Sequence, residues 1–446
     1  MNRRTNPRYL VVAALTRLEE EEDFAAEILD SFLQEAELSE LDRGLFTELF
    51  YGTVRMKKNL DFVLGLFSRR PLERIETPIL NALRIGVYQI LYLNRIPISA
   101  SVNESVKIAR FFGHQGTANF VNGILRNVDR RRDKIVYPDI KKDPVGHISA
   151  KYSFPEWMVK LWLNWWGKEE TIAFCKASNE PPVTALRVNT LRTSVTEVAA
   201  HFREQGAVVQ PGQFAPDVLE VRPGHMVVND PWLQAGAYYI QDESSALVGH
   251  AVGPNPGELV YDLCSAPGGK TTHLAQLMEN QGSILAFDNH PLRLKKVDEN
   301  AERLGISIIQ TQLGDSTEYY PHLPAADRVL VDAPCSGLGT LRHRPDIRWR
   351  KKPEEIDKLT SLQRQILRTA AQYVKPGGLL VYSTCTVTKQ ENQAVVEWFL
   401  KEHQCFSANP LPKWFPYNHS DPEYYRQIVP HYHGIDGFFV ASMRKD

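Results

Sequence analysis

Two short runs put a cysteine where a thiol could act as a nucleophile: Asp332-Ala333-Pro334-Cys335-Ser336-Gly337-Leu338-Gly339 and Tyr382-Ser383-Thr384-Cys385-Thr386. Each follows an apolar run of strand character, at 328–331 and 379–382. One cysteine at a strand end is ordinarily a small buried hydrophobe. Two, at the ends of neighbouring strands, would face the same crevice, and a thiolate there can bond covalently to an electrophilic carbon. The chain's five cysteines, at 175, 264, 335, 385 and 405, are far apart, with no CxxC pair and no Cys/His spacing of a zinc site. A reducing compartment and no metal are expected.

A third run, Asp262-Leu263-Cys264-Ser265-Ala266-Pro267-Gly268-Gly269-Lys270, joins a strand directly to a helix. Its glycines let backbone approach a ligand, and the helix N-terminus offers free N–H groups. The spacing is neither GxGxxG nor that of a P-loop, which disfavours a dinucleotide or a triphosphate. The next strand ends at Asp288, about 20 residues beyond the glycines, where a carboxylate can accept from both hydroxyls of a ribose. Asp315 ends the third strand, placed for an adenine edge. These three strand ends together favour a bound adenosine moiety.

Carbon 5 of cytosine is a poor nucleophile until a thiolate adds to carbon 6 and makes it enamine-like; it can then attack a sulfonium methyl. That chemistry needs a thiol, a carboxylate to hydrogen-bond the ring and a group to assist release, and Cys385, Asp332 and Cys335 suit these roles. The three motifs together resemble the Nol1/Nop2/Sun RNA cytosine-5 methyltransferases. The resemblance implies that Cys385 is the nucleophile, that Cys335 helps release the product and that Lys270 helps position the reacting groups. It also implies contacts to S-adenosyl-L-methionine from Cys264, Ser265, Ala266, Pro267, Gly268, Gly269, Lys270, Asp288, Arg293, Asp315, Asp332 and Pro334. Ser265 departs from the alanine common in that family. Asp436-Gly437-Phe438-Phe439 also matches.

The elements that must position these groups are α/β. Apolar runs at 259–263, 284–287, 306–310, 328–331 and 379–382 alternate with helical patterns at 271–278, 291–304, 353–374 and 389–401. This alternation predicts a parallel sheet covered by helices, with ligands at the carboxyl ends of its strands. Residues 1–140 read as all-α from apolar spacing such as Leu45, Phe46, Leu49 and Phe50, with Ser101 and Glu104 as a capping box. The charged segment 126–143 reads as a linker. Residues 145–240 mix a Trp-rich helix near 157–166, expected to be core, with short strands at 184–188 and 207–209. The expected fold is therefore multidomain: an all-α module over 1–140, a small α+β middle domain over 145–240 and a Rossmann-like class I methyltransferase domain over 241–446.

In the helical module, Tyr51-Gly52-Thr53-Val54-Arg55, Asn103-Glu104 and Phe120-Val121-Asn122-Gly123-Ile124-Leu125-Arg126 resemble NusB, an RNA-binding family. That module ahead of this methyltransferase resembles the bacterial RsmB (Sun/Fmu) branch, which implies cytosine 967 of 16S ribosomal RNA as the target. Arg187-Val188-Asn189 and Gln241-Asp242-Glu243-Ser244-Ser245 resemble further motifs of that branch. A transfer-RNA cytosine-5 methyltransferase and a non-catalytic assembly or antitermination factor are the alternatives.

A net charge of -1 means that any nucleic-acid surface must be a local patch. The stretch with Arg342, Arg344, Arg348, Trp349, Arg350, Lys351 and Lys352, beside the Pro-Cys loop, has the composition to meet phosphates and a stacked base. Arg3 and Arg4 precede an apolar run like a twin-arginine export signal, but Arg17 and the acidic run 19–23 cut that run short. A cytoplasmic, monomeric protein without a membrane span is expected.

Overall fold

The computed structural model describes residues 5–417 and 421–446, so Arg3 and Arg4 lie outside the described residues. The chain forms two compact units, 1–179 with 343–350, and 180–342 with 351–446.

The first unit is helical: α1 (Pro7–Glu20), α2 (Ala25–Glu35), α3 (Glu40–Phe67), α4 (Thr77–Tyr92), α5 (Ile98–Phe112), α6 (Gln115–Arg130), α7 (Pro144–Tyr152) and α8 (Glu156–Ala177). Short polar side chains satisfy the first free N–H groups, with Asn6 capping α1, Ser39 capping α3 and Asp143 capping α7. Helix α5 starts at Pro97 instead of at a Ser101 cap. Ser101 lies inside it, buried, with Oγ donating back to the Pro97 carbonyl. Gly52 lets α3 pass close to α4, because a Cβ there would enter the Tyr88 ring. A core cluster runs from Leu10 to Val128.

The stretch read as a linker is part of this unit. Tyr137 stacks on Phe62 and bonds Asn59, and α7 and α8 continue the helical packing. In α8, Trp162 is fully buried between Phe154 and Phe174, in keeping with its reading as core.

The second unit holds two sheets. Strands β1 (Thr184–Val188), β2 (Val208–Pro211), β3 (Val218–Arg222) and β4 (Tyr238–Ile240) form an antiparallel sheet in the order β2-β3-β1-β4, packed on the helix Val195–Glu204. The larger sheet contains β5 (Leu259–Asp262), β6 (Ser283–Asp288), β7 (Ile309–Leu313), β8 (Ala326–Asp332), β9 (Val374–Thr384), β10 (Phe406–Ala408), β11 (Tyr425–Ile428) and β12 (Phe438–Lys445). Its order is β10-β12-β9-β8-β5-β6-β7, with β11 beside β12.

Strands β5 to β9 are parallel, but β12 runs antiparallel to β9 and to β10 and β11, so the sheet is mixed where a parallel one was expected. The single helical turn Pro430–His433 joins β11 to β12 and is too short for a crossover, so these two strands run in opposite directions. The third strand starts at Ile309, three residues later than expected, and Asp315 follows it in the loop. The chain leaves β5 towards β6 on one side and later β8 on the other, which opens a crevice at their carboxyl ends.

The two sheets meet around Asp217. Its Oδ1 is 2.9 Å from His250 Nε2, and its Oδ2 is 2.8 Å from His273 Nε2 and accepts from Gln276 at 3.2 Å. Burial pushes His273 down to about 4, against the pull of Asp217, with Arg187 and then His250 adding to the fall. An unfolded imidazole titrates at about 6.5. The unfolded state therefore binds more protons in this window, and stability present above about pH 6.5 drains away as pH falls towards 4. Urea denaturation should show about 2–3 kcal/mol less stability at pH 4.5 than at pH 7.5 from this group alone. His273→Asn should remove that part of the loss. An equal pH dependence in both proteins would refute the assignment.

Candidate active site

The carboxyl ends of β5, β6, β8 and β9 deliver Asp262, Asp288, Asp332 and Cys385 to the crevice. Asp332 ends β8, where Lys270 Nζ lies 2.8 Å from its Oδ2 and Ser383 Oγ donates to its Oδ1 at 2.9 Å. Burial disfavours the Lys270 ammonium, but the Asp332 carboxylate outweighs it and raises the lysine above its ordinary value, with help from Cys385 and Asp262. Lys270 also sits over the Phe438 ring of the Asp-Gly-Phe-Phe run, 5.0 Å from its centroid.

Cys335 and Cys385 come together with their sulfurs 3.2 Å apart. The hydrogen bond with Cys385 and then burial raise the Cys335 thiol well above its ordinary value, and Glu391 and Asp332 add to the shift. Gly339 makes the approach of the two loops possible. Its N–H donates to the Cys385 carbonyl, its own carbonyl accepts from Gly437, and a Cβ there would strike the Gly437 carbonyl.

The turn from Cys264 to Lys270 is closed by Gly268, at φ 102°, with its N–H on the Ser265 carbonyl. Ser265, the departure from the family pattern, is buried and donates through both N and Oγ to the Phe287 carbonyl. Burial pushes the Asp262 carboxyl up to about 7 against the hydrogen bond from Thr271 Oγ1 at 2.7 Å, while the nearby Asp332 charge adds to the rise. Crowding by protein atoms raises the Cys264 thiol, and Asp262, Asp332 and Asp288 raise it further.

Arg293 reaches both Asp288 Oδ2, at 3.5 Å, and the Ala266 carbonyl, at 3.3 Å. Asp315 is exposed and accepts from Thr317, and the adjacent Ser316 Oγ bonds the Leu263 carbonyl. Pro334 donates nothing, but its carbonyl accepts from Gln363 at 2.9 Å. Backbone groups of the turn, the carboxylates of Asp288 and Asp315, and Arg293 are the groups that could hold an adenosine carrying an amino-acid tail.

The basic stretch is mostly structural. Arg348 is completely buried, its guanidinium spent on the carbonyls of Arg55, Ser153 and Ser178 and on Asn179, so it is corrected from RNA ligand to a core residue of the helical unit. Trp349 packs on that unit's core and donates Nε1 to the Val54 carbonyl at 2.7 Å, and Arg350 bonds the carbonyls of Glu22 and Asp23. Arg342 is buried and bonds the Gly434 carbonyl. Arg344 and Lys352 are exposed, and Lys351 pairs with Glu355 at 3.0 Å. Composition cannot distinguish a cation facing solvent from one facing carbonyls.

The motifs between the modules brace the turn 264–270. Arg187 is buried and bonds Gln241, the Gly269 carbonyl and Thr272 Oγ1 at 2.5, 2.5 and 3.0 Å. The sequence reading missed Glu391, a fully buried carboxylate behind the Pro-Cys loop. Its position six residues after Cys385 was the only signal, and nothing in that spacing marks it as buried.

A Rossmann-like methyltransferase domain with a small middle domain, preceded by a NusB-type helical module, is the class of protein these elements define. Residues 250–444 match the family model of the 16S rRNA methyltransferase RsmB/F, residues 5–130 that of the NusB family and residues 154–227 that of the RsmF/B-like ferredoxin-like domain. The chain is 39% identical to the probable ribosomal RNA small subunit methyltransferase B of Bacillus subtilis (strain 168), over 99% of each chain. A protein of the same name from Synechocystis sp. is 37% identical over 98% of each. The crystal structure of PH0851 superposes with a TM-score of 0.82 at 29% identity, covering 98% of this chain and 99% of the other. The chain belongs to the ribosomal RNA small subunit methyltransferase B family.

Proposed function

We propose that the protein transfers a methyl group to carbon 5 of a cytosine in 16S ribosomal RNA, at position 967 by resemblance, through a covalent bond to Cys385. The observation that carries this reading is the pair of thiols 3.2 Å apart at the ends of adjacent parallel strands, beside the Lys270–Asp332 ion pair. S-adenosyl-L-methionine, held by the turn 264–270 with Asp288, Arg293, Asp315 and Pro334, supplies the electrophilic methyl group.

The thiolate of Cys385 adds to carbon 6, and the electron pair of the 5,6 double bond moves to carbon 5. Asp332, held by Lys270 and Ser383, is positioned to hydrogen-bond the ring. After methylation the carbon 5 proton leaves to a base, the sulfur–carbon 6 bond breaks and the double bond re-forms. Cys335, in contact with the departing sulfur, assists that release. The base must leave its helix or lie in a single strand for carbon 6 to be reached. Arg344, Lys351 and Lys352 are the cations of the basic stretch proposed to meet phosphates.

The test is methyl transfer to naked, unmodified 16S ribosomal RNA with the product nucleotide mapped. One 5-methylcytosine at the expected position is the predicted result. Transfer to transfer RNA alone would keep the chemistry and overturn the substrate. Cofactor binding without transfer to either RNA would favour a non-catalytic assembly factor.

A further inference from the structure

Glu391 is fully buried, and four donors occupy its carboxylate. Oε1 accepts from the Ser336 N–H at 2.8 Å and from Gln363 Nε2 at 3.1 Å. Oε2 accepts from Ser336 Oγ at 2.5 Å and from Thr388 Oγ1 at 2.6 Å. Ser336 follows Cys335 directly, and its Oγ lies 2.7 Å from Thr386 Oγ1, which follows Cys385 directly. Because the Ser336 hydroxyl proton goes to Glu391, Thr386 is the donor between the two hydroxyls. Gln363 also holds the Pro334 carbonyl, on the other side of Cys335. One carboxylate therefore ties together the backbone on which both thiols ride.

With about four acceptor sites on a carboxylate, this one has none left for a substrate. It works through its neighbours. The hydrogen bond with Cys385 and then burial raise the Cys335 thiol, and the Glu391 charge adds to that rise.

We propose that Glu391 is a positioning residue that holds the Cys335 thiol against Cys385 and keeps Cys335 protonated, so that the thiolate forms on Cys385. Cys385 loses its proton to solvent, and Cys335 keeps its own and donates it to the Cys385 sulfur. This would explain why one of two adjacent cysteines is the nucleophile, and it rests on the assignment of Cys385 made above.

The experiment is site-resolved alkylation of the full chain with iodoacetamide across pH, read by peptide mass, without RNA. In the wild-type protein Cys385 should label faster than Cys335, at lower apparent pKa. Glu391→Gln preserves the shape and removes the charge, and the preference for Cys385 should fall about tenfold, one pKa unit. Ser336→Ala, which keeps the N–H bond to Glu391, should shift the preference the same way by less, and it serves if the first variant does not fold. Unchanged relative labelling at every pH in a folded Glu391→Gln protein would overturn the proposal. The methylation assay separates this from the function: kcat should fall about 10–100-fold with KM for RNA kept. A wild-type protein that transfers no methyl group, yet loses its labelling preference in Glu391→Gln, would uphold the positioning role and sink the enzymatic reading.

Discussion

Cys385→Ala should abolish methyl transfer to 16S ribosomal RNA, a fall on the order of 10⁴-fold or more, while the protein stays folded and binds its cofactor. The size follows from the chemistry: without addition at carbon 6, carbon 5 has too little electron density to attack a methyl group. The fold should survive because Cys385 is only partly buried, and its backbone carbonyl, which the substitution keeps, still accepts from the Gly339 N–H. Initial rates with labelled cofactor, alongside cofactor titration, make the test. Transfer within tenfold of wild type would move the nucleophile to Cys335.

Cys335→Ala should give the opposite picture, a covalent RNA–protein adduct that accumulates because the Cys385–carbon 6 bond forms but is not efficiently broken. The two sulfurs are 3.2 Å apart, so Cys335 is within reach of the departing sulfur. The adduct should appear as a ribonuclease-sensitive shift on a denaturing gel, near stoichiometric where the wild type shows almost none. It should vanish in the double Cys335→Ala, Cys385→Ala variant. An adduct in Cys385→Ala with none in Cys335→Ala would reverse the two roles. The pair of variants therefore tests the assignment from both sides.

Much of the architecture was legible in the sequence because local signals reported it. The helix Pro291–Leu304 has the bounds read from its pattern, with Pro291 opening it and Gly305 closing it in the left-handed region. Strand β1 likewise has the expected ends. Where a boundary depended on distant packing, the reading slipped. Ser101 has the type and spacing of a cap, but Pro97 had already started the helix. Residues 126–143 carry few apolar side chains, yet Tyr137 finds Phe62 and Asn59 far away in sequence.

The candidate reacting groups are legible along the chain. The two thiols, the Gly-Gly turn and the strand-end carboxylates are short runs whose residue types name their chemistry, and strand–helix alternation places them at one end of a sheet. The tertiary structure decided what each charged side chain does, because that depends on what surrounds it. Arg348 and Arg344 are the same residue type four positions apart, yet one is enclosed by carbonyls and the other is exposed to solvent. Only the fold sets the Cys335 and Cys385 sulfurs in contact, 50 residues apart in sequence, and buries Glu391 behind them. Desolvation and hydrogen-bond geometry arise when distant segments exclude water together, and no spacing along the chain carries that information.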